Sequence, residues 1–149
     1  MEIRGLHFDH LITFRVKDQK ENWLEGIKVM EDFPLNHEVY KNGPVFFSFE
    51  EDEDGEGLFT YYMPINTGIE FEEGITDFAY LNRYQLKQSL LLRQAQEESD
   101  FSTAYEKVKA YAAAENLSVE DSYICVLLNV YGEYIIDLYV PLKEWSEVQ

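Results

Sequence analysis

Ile135-Ile136-Asp137-Leu138-Tyr139-Val140-Pro141-Leu142 is the stretch on which the fold turns, because Leu58-Phe59-Thr60-Tyr61-Tyr62-Met63-Pro64-Ile65 repeats its form far earlier in the chain. Each alternates in the manner of a strand and ends in Tyr, an apolar residue, Pro and an apolar residue. Proline is tolerated at the end or edge of a strand, where no ladder donor is lost. The strand ahead of each matches as well: Pro44-Val45-Phe46-Phe47-Ser48 aligns with Ser122-Tyr123-Ile124-Cys125-Val126. Two closing hairpins of the same design therefore predict an internal repeat.

Working outward, residues 7–16 read as a strand, with Ile12, Phe14 and Val16 alternating against Thr13, Arg15 and Lys17. Asp18 with Glu21 has the spacing of a capping box, and Trp23, Leu24, Ile27, Met30 and Phe33 follow at helical spacing until Pro34, which is expected to end the helix. Asn42-Gly43-Pro44 is a turn. The acidic run Glu50 to Gly57 reads as a solvated hairpin loop, since it lacks the ligand spacing of an EF-hand. Residues 66–77 form a polar connector. Residues 78–96 predict one long strand or two joined by a bend. Leu86 to Gln96 fits a helical period too, and strand is preferred for its match to the first half. Glu97-Glu98-Ser99-Asp100 leads into a helix marked by Phe101, Ala104, Tyr105, Val108, Tyr111 and Ala112 and ended at Asn116. Strands at 122–129 and 134–142 flank a turn at Tyr131-Gly132-Glu133.

The order strand, helix, strand, strand thus occurs twice. The expectation is a single α+β domain over residues 1–149, with a first βαββ unit at 7–65, the connector at 66–77 and a second unit at 78–142. Neither unit buries its apolar face alone. Paired about a pseudo-twofold axis, the two predict one antiparallel sheet with two helices on one face and a concave cleft on the other.

The chain has 149 residues, of which 46% are hydrophobic, enough for one domain with a real core. Twelve Lys and Arg face 29 Asp and Glu, a formal charge of −17. Nucleic-acid binding depends on basic residues that neutralise phosphates, so DNA and RNA are excluded as partners, and an anionic membrane surface with them. A cationic small organic ligand or a basic protein partner would be attracted. The single Cys125 lies in an apolar run and reads as a buried small residue. The N-terminus shows no basic segment ahead of an apolar stretch, and no run approaches the roughly 18 apolar residues of a membrane-spanning helix, so a cytoplasmic protein is expected.

The helix Phe101-Ser102-Thr103-Ala104-Tyr105-Glu106-Lys107-Val108-Lys109-Ala110-Tyr111 and the closing strand Ile135 to Leu142, with its Tyr-Val-Pro ending, resemble the GyrI-like effector-binding domain. That is the ligand module of multidrug-responsive transcription activators, and it also occurs as stand-alone proteins. The first half matches in layout only. The resemblance implies two βαββ units around an aromatic cleft, where many members place a buried Glu near the last strand to pair with cationic, apolar drugs. In some stand-alone relatives a cleft Glu with aromatics supports hydrolysis of small electrophiles. Here Asp137 stands where a Glu is often found, and its shorter side chain would reach less far. The chain leaves no room for a helix-turn-helix domain, so the resemblance implies the stand-alone form.

Strand alternation puts Asp137 and Tyr139 on one face of the last strand and Ile136, Leu138 and Val140 on the other. The apolar face is expected to meet the helices, and the repeat places Thr60 and Tyr62 in the matching positions. Asp137, Tyr139, Tyr62 and Thr60 are therefore the candidate ligand contacts, a carboxylate with tyrosines that suits an organic cation. Asp137 as a mere cross-strand or solvent-facing group is the alternative. Trp23 reads as core and Trp145 as a cap on the sheet edge. His7 and His10, three apart in a strand, point to opposite faces, and His37 stands in a loop, so no metal is assigned. With no phosphate loop, Ser-His-Asp grouping or nucleotide fingerprint, no cofactor and no catalytic residue are assigned either. Three functions stay open: a small-molecule binder, an acidic accessory protein for a basic partner, and a weak hydrolase that needs a positioned base.

Overall fold

The computed structural model describes residues 1–53, 55–71, 77–93, 95 and 100–143, without the side chains of residues 35–37 and 53. Trp145, most of the acidic stretch of the connector, and residues 97–99 of the helix entry lie outside it. Among the described residues, six strands and two α-helices follow in the order β1 (Glu2–Gln19), α1 (Trp23–His37), β2 (Phe46–Glu53), β3 (Glu56–Pro64), β4 (Phe78–Leu92), α2 (Phe101–Ala114), β5 (Ile124–Val130) and β6 (Glu133–Pro141). This is βαββ twice, an α+β protein with antiparallel ladders. The chain divides into two compact units, His7–Gln85 and Met1–Leu6 with Leu86–Gln149.

In the first unit β3 is central, paired to β1 from Leu11↔Pro64 to Gln19↔Glu56 and to β2 from Phe46↔Tyr62 to Glu53↔Glu56. Opposed residues of an antiparallel pair share a face. One face therefore carries Ile12, Phe14 and Val16 with Met63, Tyr61 and Phe59 and with Phe47 and Phe49. Helix α1 lies on this face: the Tyr61 hydroxyl donates to the Trp23 carbonyl at 2.8 Å, and Trp23 stacks on Phe47 with centroids 5.9 Å apart. Gly26 makes the fit possible, since a Cβ there would lie 2.1 Å from the Tyr61 ring. Burial of the phenol pushes the Tyr61 pKa up.

In the second unit β6 is central, paired to β5 from Ile124↔Tyr139 to Val130↔Glu133 and to β4 from Ser89↔Pro141 to Leu92↔Leu138. Helix α2 packs against β6 and buries Phe101, Ala104, Val108 and Ala112. Its N-terminus is capped by Asp100, whose carboxylate accepts from the Thr103 amide at 2.7 Å. Its C-terminus closes in a Schellman motif: Asn116 is left-handed (φ 58°) and the Leu117 amide donates to the Ala112 carbonyl at 2.8 Å. Tyr131 and Gly132, both at positive φ, form the tight turn between β5 and β6.

Four expectations are corrected in detail. β1 runs on through Asp18, because its ladder with β3 continues to the hairpin tip, so no Asp18 capping box forms. Asp18 instead accepts from the Gln19 amide (2.7 Å) and the Asn22 side chain (2.8 Å). Pro34 lies inside α1, where it removes one backbone hydrogen bond without ending the helix, which stops at left-handed Glu38. His37 accordingly ends α1 rather than standing in a loop. The acidic run is mostly paired strand, with Lys17 reaching Asp52 (3.3 Å) and Lys20 reaching Glu51 (3.8 Å).

Candidate functional site

The face of the first unit opposite α1 holds Thr60 and Tyr62. Register places Arg15 and Ser48 on either side of Thr60, and Thr13 and Phe46 on either side of Tyr62. Phe46 is fully buried and lies almost parallel to the Tyr62 ring, 4.8 Å between centroids and 10° between planes. Tyr84 packs against both rings at 4.9 Å, and Phe8 stacks on Phe46 at 5.3 Å. Four aromatic rings thus form one cluster, of which Phe8, Tyr62 and Tyr84 keep part of their surface exposed. Offset and tilted stacks of this kind add to the area they bury. Burial raises the pKa of Tyr62, opposed by a hydrogen bond from Ser48 and by the charge of Arg15. Burial raises that of Tyr84 as well.

Phe8 reaches this cluster because β1 is kinked. His10 is left-handed (φ 58°), an uncommon conformation for a residue with a Cβ. Its ring bonds the Tyr80 hydroxyl at 2.5 Å, and its carbonyl accepts from the Ile65 amide at 2.8 Å. His7 bonds the exposed Asp9 at 3.2 Å.

In the second unit the same register recurs. Tyr139 lies between Leu91 and Ile124, and Asp137 opposite Val126. On β6 the strand is buried on both faces from Ile136 to Val140, so Asp137 is not an open carboxylate. It is 4% exposed, and the Arg93 guanidinium donates to it at 3.0 Å. Arg93 also meets Glu2 at 3.2 Å, and Glu2 meets Arg4 at 3.0 Å. The hydrogen bond to Glu2 and then the charge of Asp137 hold the Arg93 pKa above its usual value. The Tyr139 hydroxyl, 6% exposed as a residue, is pushed up by burial and by the Asp137 charge, against Arg4 and Arg93. On the same side of β4 as Leu91 the Ser89 hydroxyl is fully buried, and it is without a hydrogen-bond partner among the described residues. Cys125 is buried, which raises its thiol pKa and leaves it unreactive.

Of the four residues expected from sequence, Thr60 and Tyr62 share one face of the first unit, and Asp137 and Tyr139 share one face of the second. Sequence reading missed Arg93, Phe46, Phe8 and Tyr84. The repeat held the signal for Arg93, since extending the alignment to the first strand of each half sets Arg93 against Arg15. Among the described residues, no helix is long and apolar enough to cross a membrane.

No protein-family model matches the chain, and no curated protein matches it in sequence. Solved structures do. The chain is similar to the C-terminal domain of EcmrR (TM-score 0.61, 7% identity, 96% of this chain and 98% of that one). It also matches EcmrR in a complex with DNA, where it spans 57% of that chain (TM-score 0.60, 10% identity, 96% of this chain). It is similar to SAV2435 bound to tetraphenylphosphonium (TM-score 0.53, 13% identity, 100% of this chain and 98% of that one). A hydrolase from Listeria innocua shares the architecture too (TM-score 0.54, 12% identity, 95% and 92%). At these identities the likeness is one of fold alone.

Proposed function

We propose that the chain is a small-molecule-binding protein of the GyrI-like type, whose ligand is an aromatic organic cation. The observation that carries this reading is the aromatic cluster of Phe8, Phe46, Tyr62 and Tyr84 on the face of the first unit that α1 leaves uncovered. Flat rings present their negative faces to a cation and their area to its aromatic groups. Tyr62 and Thr60, which share that face, are the contacts assigned there. The net charge of −17 favours a cationic ligand by its field. SAV2435, of similar fold, binds one such compound.

Hydrolysis fits less well. It needs a carboxylate base beside an attacking water, and Asp137, the carboxylate buried among the described residues, is engaged by Arg93. A thermal-shift screen against aromatic phosphonium and ammonium compounds tests the reading. A ligand present at 100 times its dissociation constant stabilises the fold by about 2.7 kcal/mol. The expected result is a shift in wild type that Tyr62→Ala abolishes. A panel that moves neither protein refutes it.

A further inference from the structure

Beside the rings of the first unit stands a cation that the fold itself does not use. Arg15, Thr60 and Ser48 lie side by side across β1, β3 and β2, on the face opposite α1. The ring row, Thr13, Tyr62 and Phe46, is next to them on that face, two residues along the strands and so about 7 Å away. Arg15 is exposed and makes no ion pair or hydrogen bond with any described residue. The other basic residues on the strands of this unit, Lys17 and Arg83, are held by Asp52 and Asp9. Glu50 shares the face, one row further on opposite Leu58, and forms no ion pair with Arg15. The charge of Arg15 is felt at the Tyr62 hydroxyl, which Ser48 hydrogen-bonds. One edge of the ring cluster is therefore a guanidinium with the hydroxyls of Thr60, Ser48 and Tyr62, in place of the carboxylate partner that an acidic chain could readily have supplied.

We propose that Arg15, with the Thr60 and Ser48 hydroxyls beside it, receives an acidic group of the ligand while the rings hold its cationic aromatic body, so that the ligand of this site is an aromatic zwitterion. The proposal rests on the ligand-binding role of the ring cluster and adds the ligand's second charge. A guanidinium presents a planar fork of N–H donors that matches the two oxygens of a carboxylate. Hydroxyls on the neighbouring strands donate to the same oxygens. Since Arg15 has no ion pair within the described protein, taking a ligand's acid breaks none. The net charge of −17 opposes a purely anionic ligand, so the acid is carried on a cationic body. The spacing of the two rows puts that acid about 7 Å from the rings, the reach of a short chain on an aromatic cation.

The test is calorimetric titration of pentyltriphenylphosphonium and its ω-carboxybutyl analogue, which differ only in a terminal methyl against a carboxylate, into wild type, Arg15→Gln and Arg15→Lys. Wild type is expected to prefer the carboxylate compound. Arg15→Gln is expected to weaken that compound by about tenfold, equivalent to about 1.4 kcal/mol, and to leave the pentyl compound unchanged. Arg15→Lys keeps the charge without the fork and shows a smaller loss. Binding of the pentyl compound reports in each case that the variant is folded. If wild type prefers the pentyl compound, or if Arg15→Gln weakens both compounds alike or neither, the zwitterion proposal is overturned and the ligand-binding role survives. If wild type binds neither compound, the role falls and the proposal with it.

Discussion

The two repeats share a register and differ in what they place on it. In the first, Tyr62 lies between Thr13 and Phe46, and Thr60 between Arg15 and Ser48. In the second, Tyr139 lies between Leu91 and Ile124, and Asp137 lies opposite Val126 with Arg93 bonded to it. A tyrosine and an arginine hold equivalent positions in both. The first repeat surrounds them with rings and hydroxyls, the second with aliphatic side chains and an ion pair. On the helix side the large Tyr61 meets Gly26, and the position equivalent to Tyr61 on β6 holds the smaller Leu138. Duplicated backbones can thus keep one geometry while one copy specialises in aromatic contact and the other in charge.

The largest break in this comparison is Phe46→Ala, which removes the fully buried centre of the ring cluster. It is expected to cost about 3–5 kcal/mol, measured by urea unfolding, while the subtler Ile124→Val in the second repeat costs about 1 kcal/mol. Gly26→Ala forces a methyl into the Tyr61 ring, and a loss of about 1–3 kcal/mol is expected. Asp137→Asn weakens one charge-assisted hydrogen bond and is expected to cost about 1.5 kcal/mol, whereas Thr60→Val should stay within about 0.5 kcal/mol. An equal cost at both positions would deny that charge is concentrated in the second repeat.

Smaller effects sharpen the picture. Tyr62, Tyr84 and Tyr139 all hold their hydroxyls neutral through burial, with folded pKa values raised above the ordinary value of 10.0. The stability from that neutral form is complete below pH 10. Above it the unfolded chain releases protons that the folded chain retains, so stability falls with rising pH. An alkaline unfolding series should show this fall, and Tyr62→Phe should make it shallower. A change of the opposite sign is expected at Ser89, whose position in the first repeat is taken by Leu11. Its hydroxyl has no partner among the described residues, so Ser89→Ala should be neutral or stabilising by up to about 1 kcal/mol. A clear loss would mean that the hydroxyl is bonded in solution.

Much of the architecture was legible. Alternation and the shared Tyr-x-Pro endings, with Pro64 and Pro141 at equivalent strand ends, gave the βαββ order and aligned Thr60 with Asp137 and Tyr62 with Tyr139, as the ladders do. Local signals failed where long-range pairing outweighed them. Asp18 has the spacing of a cap, but the ladder to Glu56 holds it in a strand. Of the candidate ring cluster, only Tyr62 on β3 was legible. Arg93 fell in a stretch whose leucines fit two periods, and Phe8 turns toward the ring cluster only because His10 adopts a left-handed conformation that no composition rule announces.

The most direct test of the proposed role is titration of tetraphenylphosphonium into wild type, Tyr62→Ala and the exposed control Tyr131→Ala. Saturable one-site binding that survives in Tyr131→Ala and is lost in Tyr62→Ala is the result expected. Equal binding by Tyr62→Ala, or no binding by wild type, would contradict the claim that this face holds the ligand.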